Sequence, residues 1–237
     1  YTCVQGEGKL LGVPHILIRV SGCRLRCQFA DSFCDTPYSS WSPEKGNFTY
    51  QDVREFYQKH SHINHTMITG GGPTLHAKML QELCKIGKEY YQTITIETEG
   101  SEFVSTMADL ISLSPKLSNS TPRPGTVMPY TGKVVTEADK KKHEKWRCNY
   151  EAMSQLIENH PDYQLKPVIS SEEDLEEVKE LQQILGVPNH MVYLMPEGIE
   201  RSQLNERRKW LTELCVREGY NFTDRLHIIT YGDERGV

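Results

Sequence analysis

The sequence predicts an α/β protein, because short apolar runs alternate with amphipathic stretches of helical length. Strands are predicted at Ile16–Val20, Thr66–Thr69, Thr93–Glu97, Leu110–Leu113, Gln164–Ile169, Val192–Met195 and Leu226–Thr230. Helices are predicted between them at Thr49–His60, Leu75–Tyr90, Glu137–Asn159, Glu172–Leu185 and Ser202–Glu218. This alternation is typical of βαβ units, so we expect a parallel sheet that stays open or closes part-way into a barrel.

Each element has its own sequence signal. The helix over 75–90 carries an apolar stripe at helical spacing, formed by Leu75, Met79, Leu83 and Ile86. Polar or glycine-rich residues follow the predicted strands, in chain order Ser21-Gly22-Cys23, Gly70-Gly71-Gly72-Pro73, Thr98-Glu99-Gly100-Ser101, Ser114-Pro115-Lys116 and Pro196-Glu197-Gly198. In parallel α/β folds the chemistry gathers at the carboxyl ends of the strands, so we expect the site there.

The composition limits the classes of protein that are compatible with the sequence. A length of 237 residues suits a single domain over 1–237, with a loop and helix insertion near 117–150. The net charge of −5 argues against a nucleic-acid coat, and no apolar run is long enough to span a membrane. Seven cysteines without a secretory signal favour free thiols in a reducing compartment, so we expect a cytoplasmic protein.

Three of the seven cysteines crowd into one loop directly after a predicted strand. Cys23, Cys27 and Cys34 are spaced as Cys-x3-Cys-x6-Cys. Three thiolates suit an iron–sulfur cluster that keeps one iron free for another ligand. Structural zinc takes four ligands, for which Cys3 is the distant candidate. Three unrelated buried thiols are the third alternative.

The cysteine loop and its surroundings resemble a known family. The loop is similar to the cluster loop of the radical S-adenosylmethionine (SAM) superfamily, with Phe33 as the aromatic residue before the third cysteine. The wider set of motifs resembles the 7-carboxy-7-deazaguanine synthases nearly end to end. It comprises Gln5-Gly6-Glu7-Gly8, Gly12-Val13-Pro14, Ile18-Arg19, Asp35-Thr36, Leu113-Ser114-Pro115-Lys116, Tyr163-Gln164-Leu165-Lys166, Leu194-Met195-Pro196-Glu197-Gly198, Leu226-His227 and Arg235-Gly236-Val237.

Two positions depart from the superfamily pattern. Six residues separate Cys27 from Cys34 where two are usual, so the loop must bulge to bring Cys34 back. Gly72 stands where the Gly-Gly-Glu-Pro motif has its Glu, so another group must supply the lost hydrogen-bond acceptor.

The resemblance implies a fold, a reaction and cofactors. The fold is a partial TIM-like barrel of the radical SAM type. The enzyme is a lyase that converts 6-carboxy-5,6,7,8-tetrahydropterin to 7-carboxy-7-deazaguanine with loss of ammonia, in queuosine biosynthesis. Its cofactors are a [4Fe–4S] cluster, SAM and Mg²⁺. Its expected partners are the small pterin substrate, a second copy in a homodimer and an electron donor such as flavodoxin, with no membrane and no direct nucleic acid.

The resemblance also implies roles for individual residues. The cluster ligands are Cys23, Cys27 and Cys34, and Thr36 supports the Mg²⁺ ion. Substrate contacts are expected from Gln5, Glu7, Arg19, His227 and the carboxylate of Val237. Contacts to SAM are expected from Gly70, Gly71, Gly72, Thr98, Glu99, Ser114 and Lys116. No catalytic residue is expected beyond the cofactors themselves.

Two alternative functions remain open from the sequence. A glycyl-radical activating enzyme would share the cysteine loop and the fold but would act on a protein. A non-catalytic iron–sulfur or zinc regulatory module would explain the departures in cysteine spacing and at Gly72.

Overall fold

A six-stranded sheet forms the centre of the molecule in the computed structural model, which describes residues 1–30, 32–232 and 234–236. Within these residues the strands β1 to β9 span Thr2–Val4, Pro14–Val20, His65–Gly70, Thr93–Thr98, Leu110–Leu113, Tyr163–Leu165, Val168–Ile169, Tyr193–Pro196 and Asn221–Phe222. The helices α1 to α7 span Tyr50–Lys59, Ala77–Glu89, Glu137–Arg147, Tyr150–Glu158, Asp174–Leu185, Arg201–Glu218 and Leu226–Tyr231.

The main sheet has its strands in chain order, from β1 to β6. Strands β2 to β6 are parallel, and only β1 pairs antiparallel, with β2. A second parallel sheet holds β7, β8 and β9, and a single bridge between Leu165 and Val192 links it to the first. The predicted α/β class with an incomplete barrel is confirmed, because the described strands are mostly parallel and do not close into a barrel.

The core lies between the sheet and its helices. Ile68, Ile96 and Ile111 of the middle strands are fully buried, as expected for a parallel sheet covered on its faces. Helix α2 packs Leu83 and Ile86 of the predicted stripe inward. In the part of the chain that the structure describes, no helix is both long enough and apolar enough to cross a bilayer.

The last predicted strand is wrong. Residues Leu226–Tyr231 form helix α7, although Ile228, Ile229 and Thr230 are β-branched. The place beside β8 is taken by β9, whose Phe222 pairs with Leu194. The following chain turns away to the first loop, where the Leu226 N–H donates to the carbonyl of Gly6 at 2.9 Å. Tertiary position therefore overrides β propensity in this segment.

Two other predicted elements are each divided in two. The run Gln164–Ile169 becomes β6 and β7, because Pro167 has no N–H for a ladder hydrogen bond. The helix over 137–159 breaks at Cys148, and the Asn149 side chain caps the new start by accepting from the Ala152 N–H. The short strands β1 and β9 have no periodic pattern that predicts them.

Candidate active site

A cavity of about 570 Å³ opens at the carboxyl ends of the parallel strands. Nearly all of the sequence-predicted site residues line it: Gln5, Glu7, Arg19, Cys23, Cys27, Cys34, Thr36, Gly70, Gly71, Thr98, Glu99, Ser114, Lys116 and His227. Gly72 lies just behind this surface, against the side chain of Glu99. Val237 lies outside the described residues. The structure therefore gathers residues from positions 5 to 227 into one cavity.

The long gap between the second and third cysteines folds as a small hairpin. Gln28 and Phe33 form an antiparallel bridge, and the Phe29 N–H donates to the Ser32 carbonyl at 2.7 Å. The Cys34 N–H donates to the Cys27 carbonyl at 3.2 Å, so the two cysteines are neighbours across the hairpin. We name residues 27–30 and 32–34 the thiol hairpin. The six-residue gap thus returns Cys34 to Cys27 without displacing either thiol from the cavity.

The three thiols lie together on one side of the cavity. Cys23 and Cys34 both pack against the small apolar group that contains Cys27. Among the described residues, no three His, Cys, Asp or Glu side chains converge as they would around one metal ion. A [4Fe–4S] cluster does not need such convergence, because each thiolate binds a different iron. Burial raises the pKa of Cys23 and of Cys27, so both must lose a proton to become ligands.

Contacts on two sides brace the thiol hairpin and the residues before it. Helix α3 lies against them, and its buried His143 accepts the Arg26 N–H at 3.1 Å. The half-buried Trp146 of the same helix packs, as Cys23 and Cys34 do, against the buried group of Leu25, Cys27 and Phe29. From the other side, the Ser32 hydroxyl donates to the buried carboxylate of Glu197 at 2.5 Å. These contacts fix a loop that has no strand or helix of its own.

Five charged side chains form a second feature of the cavity, which we name the ion chain: Glu97, Lys166, Glu7, Arg225 and Asp35. The Lys166 side chain is 1% exposed. Its ammonium lies 2.8 Å from the Glu97 carboxylate and also forms an ion pair with Glu7. The Arg225 guanidinium lies 3.1 Å from the Glu7 carboxylate and also forms an ion pair with Asp35. Acid and base alternate along the chain, so each buried charge has a partner of opposite sign.

The pKa shifts follow from this alternation. Burial alone would raise the pKa of Glu7, but the positive charges of Lys166 and Arg225 lower it well below its ordinary value. Burial would also raise the pKa of Asp35, and Arg225 lowers it instead. The pKa of Lys166 is raised by its two carboxylates against the effect of burial. Glu7, Asp35, Lys166 and Arg225 are therefore charged at neutral pH.

Three predicted substrate residues surround the ion chain. His227 Nε2 lies 3.8 Å from Glu7 Oε1, and its ring packs on Gly6. The Gln5 amide is already engaged, because its Nε2 donates to Met67 Sδ at 3.1 Å and its Oε1 accepts the Gly6 N–H. Arg19 lies 5.9 Å from the ring of Tyr38 and makes no ion pair with a described carboxylate. Arg19 is thus a cation open to an anionic ligand.

Steric contacts explain why two positions after β3, Gly71 and Gly72, are glycine. A Cβ at Gly71 would lie 2.4 Å from the Gly22 carbonyl oxygen and 2.7 Å from Cys23 Cβ. A Cβ at Gly72 would lie 2.6 Å from Oε1 of Glu99. Glycine at 71 therefore lets the Cys23 backbone approach β3, and glycine at 72 makes room for a carboxylate from the next strand.

Glu99 differs from the other buried carboxylates of the cavity. It is 4% exposed, and its hydrogen bonds come from two hydroxyls, Ser101 at 2.5 Å and Thr98 at 3.3 Å. No described Lys, Arg or His lies within ion-pair distance of it, although Lys116 is close enough to exert a weaker attraction. Burial raises the pKa of Glu99 above its ordinary value despite these hydroxyl donors.

The remaining predicted residues are ordered by local hydrogen bonds. The Lys116 ammonium donates to both the carbonyl and the hydroxyl of Ser114, each at 2.7 Å. The Ser114 N–H donates to the Thr98 carbonyl at 2.8 Å. The Thr36 hydroxyl lies 3.5 Å from Cys34 Sγ, at the edge of the thiol hairpin. Lys116, Ser114, Thr98 and Thr36 all line the cavity.

Several residues of the site escape sequence reasoning. Lys166, for which a solvated side chain is the default, is in fact buried in the ion chain. Arg225 precedes a segment that was predicted as a strand, and nothing in its neighbours marks it as buried. Glu97 and Glu197 end apolar runs, which is a usable signal, because charged residues at the carboxyl ends of buried strands point to a site.

The open, mostly parallel sheet with three thiols at its strand ends defines a protein of the radical SAM class. The chain is 38% identical over 233 residues to 7-carboxy-7-deazaguanine synthase of Rhodopirellula baltica, which covers 98% of this chain and 85% of the relative. It is 33% identical to 7-carboxy-7-deazaguanine synthase of Halobacterium salinarum, over 97% of this chain and 88% of the relative. The chain belongs to the 7-carboxy-7-deazaguanine synthase family.

The solved structures that resemble the chain agree on the fold. A crystal structure of QueE from Escherichia coli has a TM-score of 0.66 at 19% identity, with 96% of this chain and 92% of that chain covered. Streptococcus suis SuiB bound to precursor peptide SuiA has a TM-score of 0.52 at 12% identity, with 88% and 47% covered. No protein-family model matches the chain. The relatives do not favour an activating enzyme or a non-catalytic module.

Proposed function

We propose that this chain converts 6-carboxy-5,6,7,8-tetrahydropterin to 7-carboxy-7-deazaguanine and ammonia. The observation that carries the proposal is the joining of two features in one cavity, the three thiols and the ion chain with Arg19 beside it. The first suits a cluster that activates SAM, and the second suits a substrate that has a carboxylate and a rim of hydrogen-bonding groups. A family relative at 38% identity bears the name of this activity.

In this proposal the thiol side of the cavity holds the cofactors. Cys23, Cys27 and Cys34 would hold the [4Fe–4S] cluster, and SAM would lie between the thiols and the strand ends at Gly71 and Glu99. Together these cofactors supply the radical chemistry. The protein orients them through the braced thiol hairpin and encloses them in a cavity whose apolar residues include Leu25 and Phe29.

The ion chain and Arg19 would hold the substrate. The planar guanidinium of Arg19 suits the pterin carboxylate, and it forms no ion pair with a carboxylate of the described residues, although Asp35 attracts it. The side chains of Glu7 and His227 would face the pterin edge, with Glu7 fixed in its charged form by Lys166 and Arg225. Fixed charges of this kind need no reorganisation when the ligand binds.

Three further assignments belong to the same proposal. A Mg²⁺ ion would bind between Thr36 and the substrate oxygens, because hydroxyl and carboxylate oxygens suit a hard cation. The chain would act as one domain, in a homodimer and in the reducing cytoplasm. The Mg²⁺ assignment is tested by Thr36→Val, which should raise the Mg²⁺ concentration needed for half-maximal turnover.

The electron donor would be an acidic protein such as flavodoxin. Segment 121–147 carries seven Lys or Arg residues against three Asp or Glu, although the whole chain carries 27 against 32. Lys141 and Lys145 are exposed on helix α3, which lies directly against the loop that carries the thiols. Reversing both charges should slow turnover driven by flavodoxin and leave turnover driven by dithionite unchanged.

The proposed activity is tested by anaerobic reconstitution with iron and sulfide, followed by incubation with the carboxytetrahydropterin, SAM and dithionite. The expected product is 7-carboxy-7-deazaguanine, identified by mass spectrometry. Cleavage of SAM without any deazaguanine product would refute the proposed substrate. Zinc binding without cleavage of SAM would refute the radical SAM chemistry itself.

A further inference from the structure

Glu99 is a buried carboxylate that faces the cavity and forms no ion pair with any Lys, Arg or His in the part of the chain that the structure describes. The other buried or half-buried carboxylates around the cavity have one: Glu7 and Glu97 pair with Lys166, Asp35 pairs with Arg225, and Glu197 lies 3.1 Å from Arg207. The hydroxyls of Ser101 and Thr98 hydrogen-bond to Glu99, and Lys116 attracts it without forming an ion pair. A buried charge costs folding free energy unless it is paired, so its retention beside a cavity calls for a positively charged or proton-donating ligand group.

The absence of a side chain at Gly72 is what gives Glu99 its position. Both carboxylate oxygens of Glu99 lie within 3.0 Å of the point that a Cβ at Gly72 would occupy. The backbone at Gly72 has φ −143°, which any residue adopts without strain. Glycine at this position is therefore explained by the space that Glu99 needs and not by its own conformation.

The position of this carboxylate relative to the thiols identifies the ligand group. Gly71, the neighbour of Gly72, lies against Cys23, and Cys23 and Glu99 are close enough to influence each other's charge. In the proposed function the group that binds beside the thiols is the amino-acid end of SAM. We propose that Glu99 accepts a hydrogen bond from the α-amino group of SAM, and that Gly72 and Glu99 together replace the Glu that the Gly-Gly-Glu-Pro motif has at position 72. This inference rests on the proposed function.

The test measures the affinity of the reconstituted chain for two ligands, SAM and its analogue without the α-amino group, by isothermal titration calorimetry. Glu99→Gln should weaken SAM binding about ten- to a hundred-fold, because one charge-assisted hydrogen bond is lost. Binding of the desamino analogue should change less than about three-fold, since it has no amino group to lose. Equal weakening of both ligands, or of neither, would overturn the inference.

A matched pair of glycine variants separates the steric claim from a general effect of substitution. Gly72→Ala should weaken SAM binding as Glu99→Gln does, because its Cβ displaces the carboxylate. Gly46→Ala is the control, since a Cβ at Gly46 meets nothing within 4 Å. Unchanged SAM affinity in Gly72→Ala, with both variants folded by circular dichroism, would contradict the steric claim.

The double variant Gly72→Glu/Glu99→Gly moves the carboxylate back to position 72. Gly72→Glu alone should abolish measurable SAM binding, because two carboxylates compete for one space. The double variant should recover binding to within about ten-fold of the parent chain. A double variant no better than Gly72→Glu would count against the exchange of positions. Failure of the parent chain itself to bind SAM would instead refute the proposed function.

Discussion

The ion chain and Glu99 place carboxylates in the same cavity under opposite electrostatic conditions. Glu7 and Asp35 have cations bound to them, and their pKa values fall below the ordinary range although both are buried. Glu99 has no ion-pair partner among the described residues, and burial raises its pKa. A buried carboxylate with a cation bound to it is already stabilised. A buried carboxylate without a cation raises the free energy of the folded chain, and a ligand with a positive group can lower that free energy again. The cavity therefore has a preorganised side and a side that is completed by what binds there.

The cations of the cavity show the same difference between paired and unpaired groups. The cations of the ion chain, Lys166 and Arg225, are fully engaged with carboxylates, whereas Arg19 is not. Arg19 and Glu99 both line the cavity without an ion pair to a described residue, and we expect both to contact ligands. Each of the following variants tests one side of this comparison.

The largest effect is expected for the thiols. Cys23→Ala should reduce both the iron content and the turnover of the reconstituted chain to background, because a cluster ligand is removed. Cys148→Ala is the matched control, since Cys148 is half-buried and does not line the cavity. Iron counting and visible absorption check the prediction. Retained turnover in Cys23→Ala would refute the assignment of the ligands.

The ion chain should show the next largest effect, on stability. Lys166→Met leaves Glu7 and Glu97 buried without that cation, and should lower the free energy of unfolding by about 3–5 kcal/mol. Lys179→Met breaks exposed ion pairs with Glu176 and Glu218 and should cost far less, because solvent screens exposed pairs. Urea denaturation at pH 7 measures both. Equal costs for the two variants would show that the ion chain is not a structural unit.

The buried His143, which accepts a hydrogen bond from the loop that carries the thiols, should make the free energy of unfolding depend on pH. Burial lowers the pKa of His143 from 6.5 to about 4, so the unfolded chain takes up a proton at a higher pH than the folded chain. Stability should therefore fall as the pH drops from about 6.5 to 4, by roughly 3 kcal/mol from this group.

Denaturation at a series of pH values checks this contribution. His143→Asn should flatten the fall in stability, whereas His190→Asn, at an exposed position, should leave it unchanged. An unchanged slope in His143→Asn would show that the histidine is not held neutral against the thiol loop.

The smallest effect is a gain. Because burial raises the pKa of the Glu99 carboxyl, its charged form destabilises the ligand-free chain at neutral pH. Glu99→Gln should raise the free energy of unfolding by about 1 kcal/mol while it weakens SAM binding. Thermal denaturation without ligand measures the gain. A loss of stability would mean that the carboxylate is already satisfied by Ser101 and Thr98.

Local periodicity was enough to predict most of the fold. The strand Leu110–Leu113 is found with its predicted bounds, and the helix over 49–60 is found within a residue at each end, because apolar pattern and caps agree there. The wrong strand at Leu226–Thr230 and the break at Pro167 both arise where tertiary contacts decide the outcome. The division into one domain with an insertion near 117–150 stays a prediction.

The candidate site was predictable only in part. Cysteine spacing and strand-end motifs identify the thiols, Arg19 and Glu99 as candidate site residues, because each lies in a short motif that can be recognised from the neighbouring residues. The pairing of Lys166 with Glu7 joins residues that are 159 positions apart, and no local pattern encodes it. The same holds for the space at Gly72, whose reason lies on the next strand. The residue roles themselves remain proposals.

The most direct test of a two-sided cavity is to measure the affinities of SAM and of the carboxytetrahydropterin in two variants, Glu99→Gln and Arg19→Met. The account predicts that Glu99→Gln weakens SAM at least ten-fold and barely affects the pterin, while Arg19→Met does the reverse. If both variants weaken the same ligand, or each weakens both equally, the division of the cavity into a cofactor side and a substrate side is wrong.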